Sequence, residues 1–116
     1  MYNISSPDTS DAGIDRQLQD APAPRITNDD VLANIVHVEY VTHVSQSGQI
    51  LRWAVLTTKS GFAVTGRPSA AVCAENDSVA IGEKVAYDNA KQELWPLMGY
   101  HLKTNLAERA ANKDAA

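Results

Sequence analysis

Four side chains carry the soft and imidazole chemistry of this chain: Cys73, His37, His43 and His101. A lone cysteine makes no intramolecular disulfide and no cysteine zinc centre, because both need a second thiolate. The histidines lack the His-x-x-x-His spacing that sets two imidazoles on one helix face around a metal ion. Cys73 and His101 are the residue types of a thiol–imidazole nucleophile pair. A small core cysteine is the reading favoured for Cys73. Asp29 and Asp30 are a carboxylate pair by sequence. Adjacent carboxylates at a helix start serve the positive end of the helix dipole better than they serve acid–base work. The serine-hydrolase elbow, the phosphate-binding Gly-x-x-x-x-Gly-Lys loop and the dinucleotide Gly-x-Gly-x-x-Gly turn are all absent from the sequence. The expectation is a domain that binds rather than catalyses, with no metal and no cofactor.

The elements that would position any site can be read along the chain. Residues 1–24 are rich in Ser, Asp, Pro, Ala and Gln, show no helical period and close on Ala21-Pro22-Ala23-Pro24. They read as a flexible tail ahead of a single domain over 25–112. Thr27 followed by Asn28-Asp29-Asp30 is a helix start, and Val31, Leu32, Ile35 and Val38 continue it at helical spacing to about residue 37. His37 to Val44 is β-branched and suits either a strand or more helix. Ser45 to Gln49 is a turn. Ile50 to Thr58 is a strand, Lys59-Ser60-Gly61 a tight turn, and Phe62 to Gly66 the return strand of a hairpin. Asn76-Asp77-Ser78 opens a second helix over roughly 79–95. Pro96 and Gly99 predict a kink or break, with a last short helix from His101 to Ala111. The fold class is α+β: an N-terminal helix, a small antiparallel sheet of two to four strands built on a hairpin, and a C-terminal helix kinked near Pro96–Gly99.

Composition narrows the function classes. The chain has 116 residues, 44% of them hydrophobic and 21% charged, which are values of a globular domain. A net charge of −4 argues against non-specific nucleic-acid binding, and DNA is not an expected partner. No apolar run is long enough for a membrane span, and the first residues lack the basic and apolar regions of a secretory signal, so a cytoplasmic, membrane-free protein is expected. Trp95, Tyr87 and Tyr100 read as packing residues, and Trp53 as core or interface. A chain this short has little apolar area to spare, which favours self-association.

One ordered set of motifs is more specific. Arg25-Ile26-Thr27 is followed by Gly61-Phe62-Ala63-Val64-Thr65-Gly66, then Ile81-Gly82-Glu83-Lys84-Val85-Ala86, then Trp95-Pro96-Leu97-Met98-Gly99-Tyr100-His101-Leu102. Over roughly residues 24–107 this resembles a family of small tailed-phage accessory proteins. The layout is also similar to the Thoeris anti-defence proteins of the first kind. Those are sponges: they sequester glycocyclic ADP-ribose, and in some cases the cyclic oligonucleotides of cGAS-like (CBASS) systems, without cleaving them. Ser60 replaces the family's preferred Asn, Arg67-Pro68 replaces an acidic residue and Ser, and Asn76-Asp77 lacks the usual Phe. These departures fall on plausible ligand walls.

The resemblance implies a cyclic nucleotide partner, residence in the cytoplasm of the infected host, and a homo-oligomer, either a dimer or a hexamer built from dimers. Such a ligand brings anionic phosphates, which arginine and lysine hold, and flat bases, which stack on rings at about 1–3 kcal/mol per base. The matching candidates are Phe62 as the plane, Arg25, Arg67, Lys103 and Arg109 as cations, and Thr65 and Ser69 as ribose or phosphate hydrogen-bonders. The rival expectation is a phage early protein that inhibits a host protein by direct binding.

Overall fold

The computed structural model describes residues 10–19 and 23–115. Two short helices, α1 (Asp11–Gln17) and α2 (Asn28–Asn34), precede strands β1 (Ile35–Val44), β2 (Ile50–Thr58), β3 (Ala63–Thr65) and β4 (Ser69–Ala71). A single 3₁₀ turn (Ala74–Asn76) leads into one long helix, α3 (Val79–Ala115). The α+β class and the antiparallel sheet are as the sequence predicts.

The capping box at α2 is complete. Thr27 Oγ1 accepts from the Asp30 N–H at 3.0 Å, and Asp30 Oδ2 accepts from the Thr27 N–H at 2.9 Å. The helix ends at Asn34, short of residue 37, because Ile35, Val36 and Val38 are β-branched and the chain passes directly into β1. The periodicity that predicted a longer helix counted Ile35 and Val38, which instead pack on the core from the strand.

β2 is the central strand. β1 pairs antiparallel along its full length, and β3 and β4 share its other edge, opposite Val55–Thr57 and Ile50–Arg52 respectively. Burial on β2 alternates: Arg52, Ala54, Leu56 and Thr58 lie beneath α3, while Leu51, Trp53, Val55 and Thr57 line the other face and are half-buried. α3 covers β2, β3 and β4. The core between them is small: Val31, Ala54, Leu56, Val64, Ala86, Ala90 and Leu94. Full burial of Leu56 and of Leu94 contributes about 1.5–3 kcal/mol each.

Two glycines and two alanines explain the close approach of helix and sheet. A Cβ on Gly66 would lie 2.4 Å from the Asn89 carbonyl oxygen of α3, and one on Gly82 would lie 2.8 Å from Arg52 Nη1. Ala86 and Ala90 are fully buried one and two turns after Gly82. Gly66 of the Gly-Phe-x-Val-x-Gly pattern and Gly82 and Ala86 of the Ile-Gly-x-x-x-Ala pattern are thus packing devices.

Three expectations need correction. α3 does not break at Pro96; it continues to Ala115 as one helix. Pro96 costs the helix one N–H and leaves the Gln92 carbonyl without its partner. Both residues are exposed, so the freed carbonyl is on the solvent side of the helix and the packed face is kept. Cys73 is exposed, not a core residue, because it falls in the link between β4 and the 3₁₀ turn. The segment 1–24, expected as a flexible tail, carries α1. Ser10 caps that helix through the Gly13 N–H, and its carboxylates bond to the domain body, as described below. Residues 1–9 and 20–22 of that segment lie outside the described residues.

Candidate functional site

The β2–β3 turn is built by hydrogen bonds before any side chain reaches solvent. The Thr58 N–H and Thr58 Oγ1 both donate to the Phe62 carbonyl, at 2.9 and 2.8 Å. The Gly61 N–H donates to the Thr58 carbonyl at 2.9 Å, and Gly61 takes φ +88°, a conformation glycine adopts without strain. Ser60 Oγ sits 3.1 Å from Thr58 Oγ1 and accepts from the Phe62 N–H at 3.4 Å. The Lys59 N–H is held by Asn34, through both its backbone carbonyl (3.1 Å) and its side-chain oxygen (3.2 Å). The backbone is therefore fixed while two side chains project: the Phe62 ring, 61% exposed, and the Lys59 ammonium.

α3 passes this turn at Leu94 to His101. Between them lies an open cleft of about 480 Å³, whose walls include Lys59, Ser60, Phe62, Met98, Tyr100 and His101. Its volume is in the range of small-molecule sites. No carboxylate lines it. A second cleft of about 430 Å³ shares Asn34, Lys59, Met98 and His101 and is further lined by Asn105 of α3, Asp30 of α2 and Arg25. Tyr100, expected as a packing residue, is 77% exposed. Asn105 Nδ2 lies 3.3 Å from His101 Nε2. Among the described residues, no carboxylate is within ion-pair distance of Lys59. Two exposed rings, an unneutralised ammonium, an imidazole and several hydroxyl and amide groups therefore meet at one place. This set can stack on planar groups and neutralise an anion.

Of the site residues expected from the sequence, Phe62 lines the first cleft and Arg25 the second. The Arg25 guanidinium is committed to α1: Nη1 pairs with Asp15 Oδ1 at 2.8 Å, Nη2 donates to the Asp15 carbonyl at 3.1 Å, and Nε donates to the Leu18 carbonyl at 3.3 Å. The other Asp15 oxygen accepts from the Asn28 N–H at the start of α2, at 2.7 Å. The hydrogen bond from Arg25 holds the Asp15 carboxyl below the usual carboxylate range. Lys91 completes the anchorage, with Asp11 at 2.8 Å and the Asn28 side chain at 2.5 Å. The anion expected beside Arg25 is thus supplied by α1 itself.

The remaining candidates are elsewhere. Thr65 is exposed on the sheet face turned away from α3, opposite Val55. Arg67 is exposed, and its carbonyl accepts from Asn89 Nδ2 at 3.0 Å. Ser69 is buried opposite Arg52, six residues back along β2 and so about 20 Å from the hairpin tip. Lys103 and Arg109 are exposed on α3, and neither lines the cleft. Reasoning from sequence missed Lys59, Asn34, Tyr100 and His101 as members of the site. Lys59, adjoining a glycine turn with Phe62, was the available signal.

At the opposite end of β2, Arg52 and Asp77 form a two-pronged ion pair at 2.5 and 2.7 Å. Both side chains are largely buried, at 9% and 14% exposure. Each partner favours the other's charged form: the hydrogen bonds raise the Arg52 pKa and lower that of Asp77.

A family model matches residues 26–106: that of the phage protein (N4 Gp49/phage Sf6 gene 66) family, to which the chain belongs. No curated protein and no solved structure matches it. Among the described residues, no helix is long and apolar enough to cross a membrane.

Proposed function

From membership of this phage family and the make-up of the cleft, we propose that the protein is a sponge for a cyclic nucleotide immune signal, glycocyclic ADP-ribose or a cyclic oligonucleotide, in the host cytoplasm. The observation that carries this reading is the pairing of Phe62 with Lys59 on a turn whose backbone is fixed by its own hydrogen bonds. A base stacks on Phe62 or Tyr100, the phosphates meet Lys59, and His101, Ser60 and Asn34 offer polar contacts to ribose and phosphate. On this reading the ligand is held and not cleaved, as in the sponges that the layout resembles. Sequestration needs only affinity and slow release, and a preformed turn helps both by lowering the ordering cost.

The site as drawn is open on one side, which a second subunit would close, in keeping with the homo-oligomer that the resemblance implies. Thermal-shift assays with a panel of cyclic nucleotides test the reading. A ligand that stabilises the wild-type protein and leaves Phe62→Ala unmoved supports it. Equal stabilisation of both proteins places the ligand elsewhere.

The rival reading, inhibition of a host protein by direct contact, draws support from the apolar side chains exposed along β1. A host enzyme recovered with the protein, with no nucleotide in the complex, would favour it.

A further inference from the structure

β1 is a free edge. Its inner side is bonded to β2 throughout, and no strand among the described residues lies on its outer side. Exposed edges are ordinarily blunted by shortness, lysine, proline or a bulge. β1 is ten residues long, and its bulge falls at its very start, between Ile35 and His37. From His37 to Val44 it has neither proline nor lysine.

The exposed apolar side chains lie on both faces of the strand. Tyr40 and Val44 share the face of Ala54 and Ile50, toward α3, while Val41 shares the face of Trp53. Val41 is 51% and Val44 58% exposed. A partner laid on one face of the sheet would cover only one of these sets. A strand added at the edge covers both and satisfies the free N–H and C=O groups.

The strand's own sequence fits that added strand. Antiparallel pairing about a two-fold axis at Val41 sets Val41 against the partner's Val41, Tyr40 against the partner's Thr42, Val38 against the partner's Val44, and Glu39 against the partner's His43. These are the β-branched, aromatic and polarity-matched pairs that stabilise antiparallel sheets. A register centred on Tyr40 would set His37 against the partner's His43 and leave Glu39 facing a valine. We infer that β1 pairs edge to edge with β1 of a second copy, in the Val41-centred register, fusing two sheets into one. This surface is separate from the nucleotide cleft and stands without the sponge reading.

Size-exclusion chromatography with light scattering on the full chain tests it. The wild-type protein is expected at twice the chain mass or an even multiple. Val41→Lys brings two ammonium groups together at the axis, and is expected to halve the mass with an unchanged far-UV circular dichroism spectrum. Glu39→Lys is expected to weaken assembly by roughly tenfold, and adding His43→Glu to restore it. A wild-type protein that is monomeric at every concentration, or an assembly that survives Val41→Lys, overturns the edge pairing. Failure of His43→Glu to rescue Glu39→Lys overturns the register.

Discussion

The two ends of β2 use charge in opposite ways. At the start of the strand, Arg52 is buried beneath α3, gripped by both oxygens of Asp77 and enclosed by Gly82. Just past its end, Lys59 stands in solvent beside two exposed rings, with no carboxylate within ion-pair distance among the described residues. A cation satisfied inside the fold fixes the helix on the sheet and can do nothing for a ligand. A cation left open at a rigid turn adds little to stability and is available for binding. The contrast separates the residues that hold the fold from those left open to solvent.

The largest effect should come from breaking the first end. Asp77→Ala leaves a buried guanidinium without its counter-charge, the costly half of any buried ion pair. It is expected to lower the melting midpoint by roughly 10 °C or more, measured by circular dichroism. Gly66→Ala is expected to act in the same direction, because its Cβ meets the backbone of α3 rather than a movable side chain. Acid should do reversibly what Asp77→Ala does permanently. The Asp77 and Asp15 carboxyls are held below their ordinary values by Arg52 and Arg25. A depressed carboxyl contributes stability that is present above the unfolded-state value and lost as pH falls through the folded one. Urea midpoints should therefore be flat near neutrality and fall below about pH 4, with a shallower fall in Asp77→Ala.

At the second end the expectations reverse. Phe62→Ala should leave the melting midpoint nearly unchanged while weakening nucleotide binding by about 10-fold or more, the worth of one lost stack. Lys59→Gln should weaken binding less and flatten its dependence on salt, since one phosphate contact is removed. An equal loss of stability in Phe62→Ala and Asp77→Ala would erase the contrast between the two ends.

The sequence shows the backbone of this comparison more clearly than its contents. Thr27 as a cap, Gly61 as a turn residue, β2 as a strand and Ser78 at the start of α3 all follow from local propensity, and the structure bears them out. The site was legible in part. Phe62 is marked by its place in the turn, whereas Tyr100 and His101 reach the same cleft only because α3 runs through Pro96 without a break. Local rules that forbid proline in a helix hide that continuity. Arg25 has the right type and place for an anion, but what it meets is Asp15, from a segment whose composition shows no helical period. Charge and spacing indicate which side chains could serve a ligand; tertiary contacts decide which are already taken.

The most direct test is isothermal calorimetry of the purified protein against glycocyclic ADP-ribose and cyclic di- and trinucleotides. Each titration would be followed by denaturation and chromatography of what is released. Saturable binding with micromolar or tighter affinity, lost in Phe62→Ala and returning the ligand chemically unchanged, is the predicted result. No binding by any member of the panel, or recovery of a cleaved product, would contradict a sponge at this cleft.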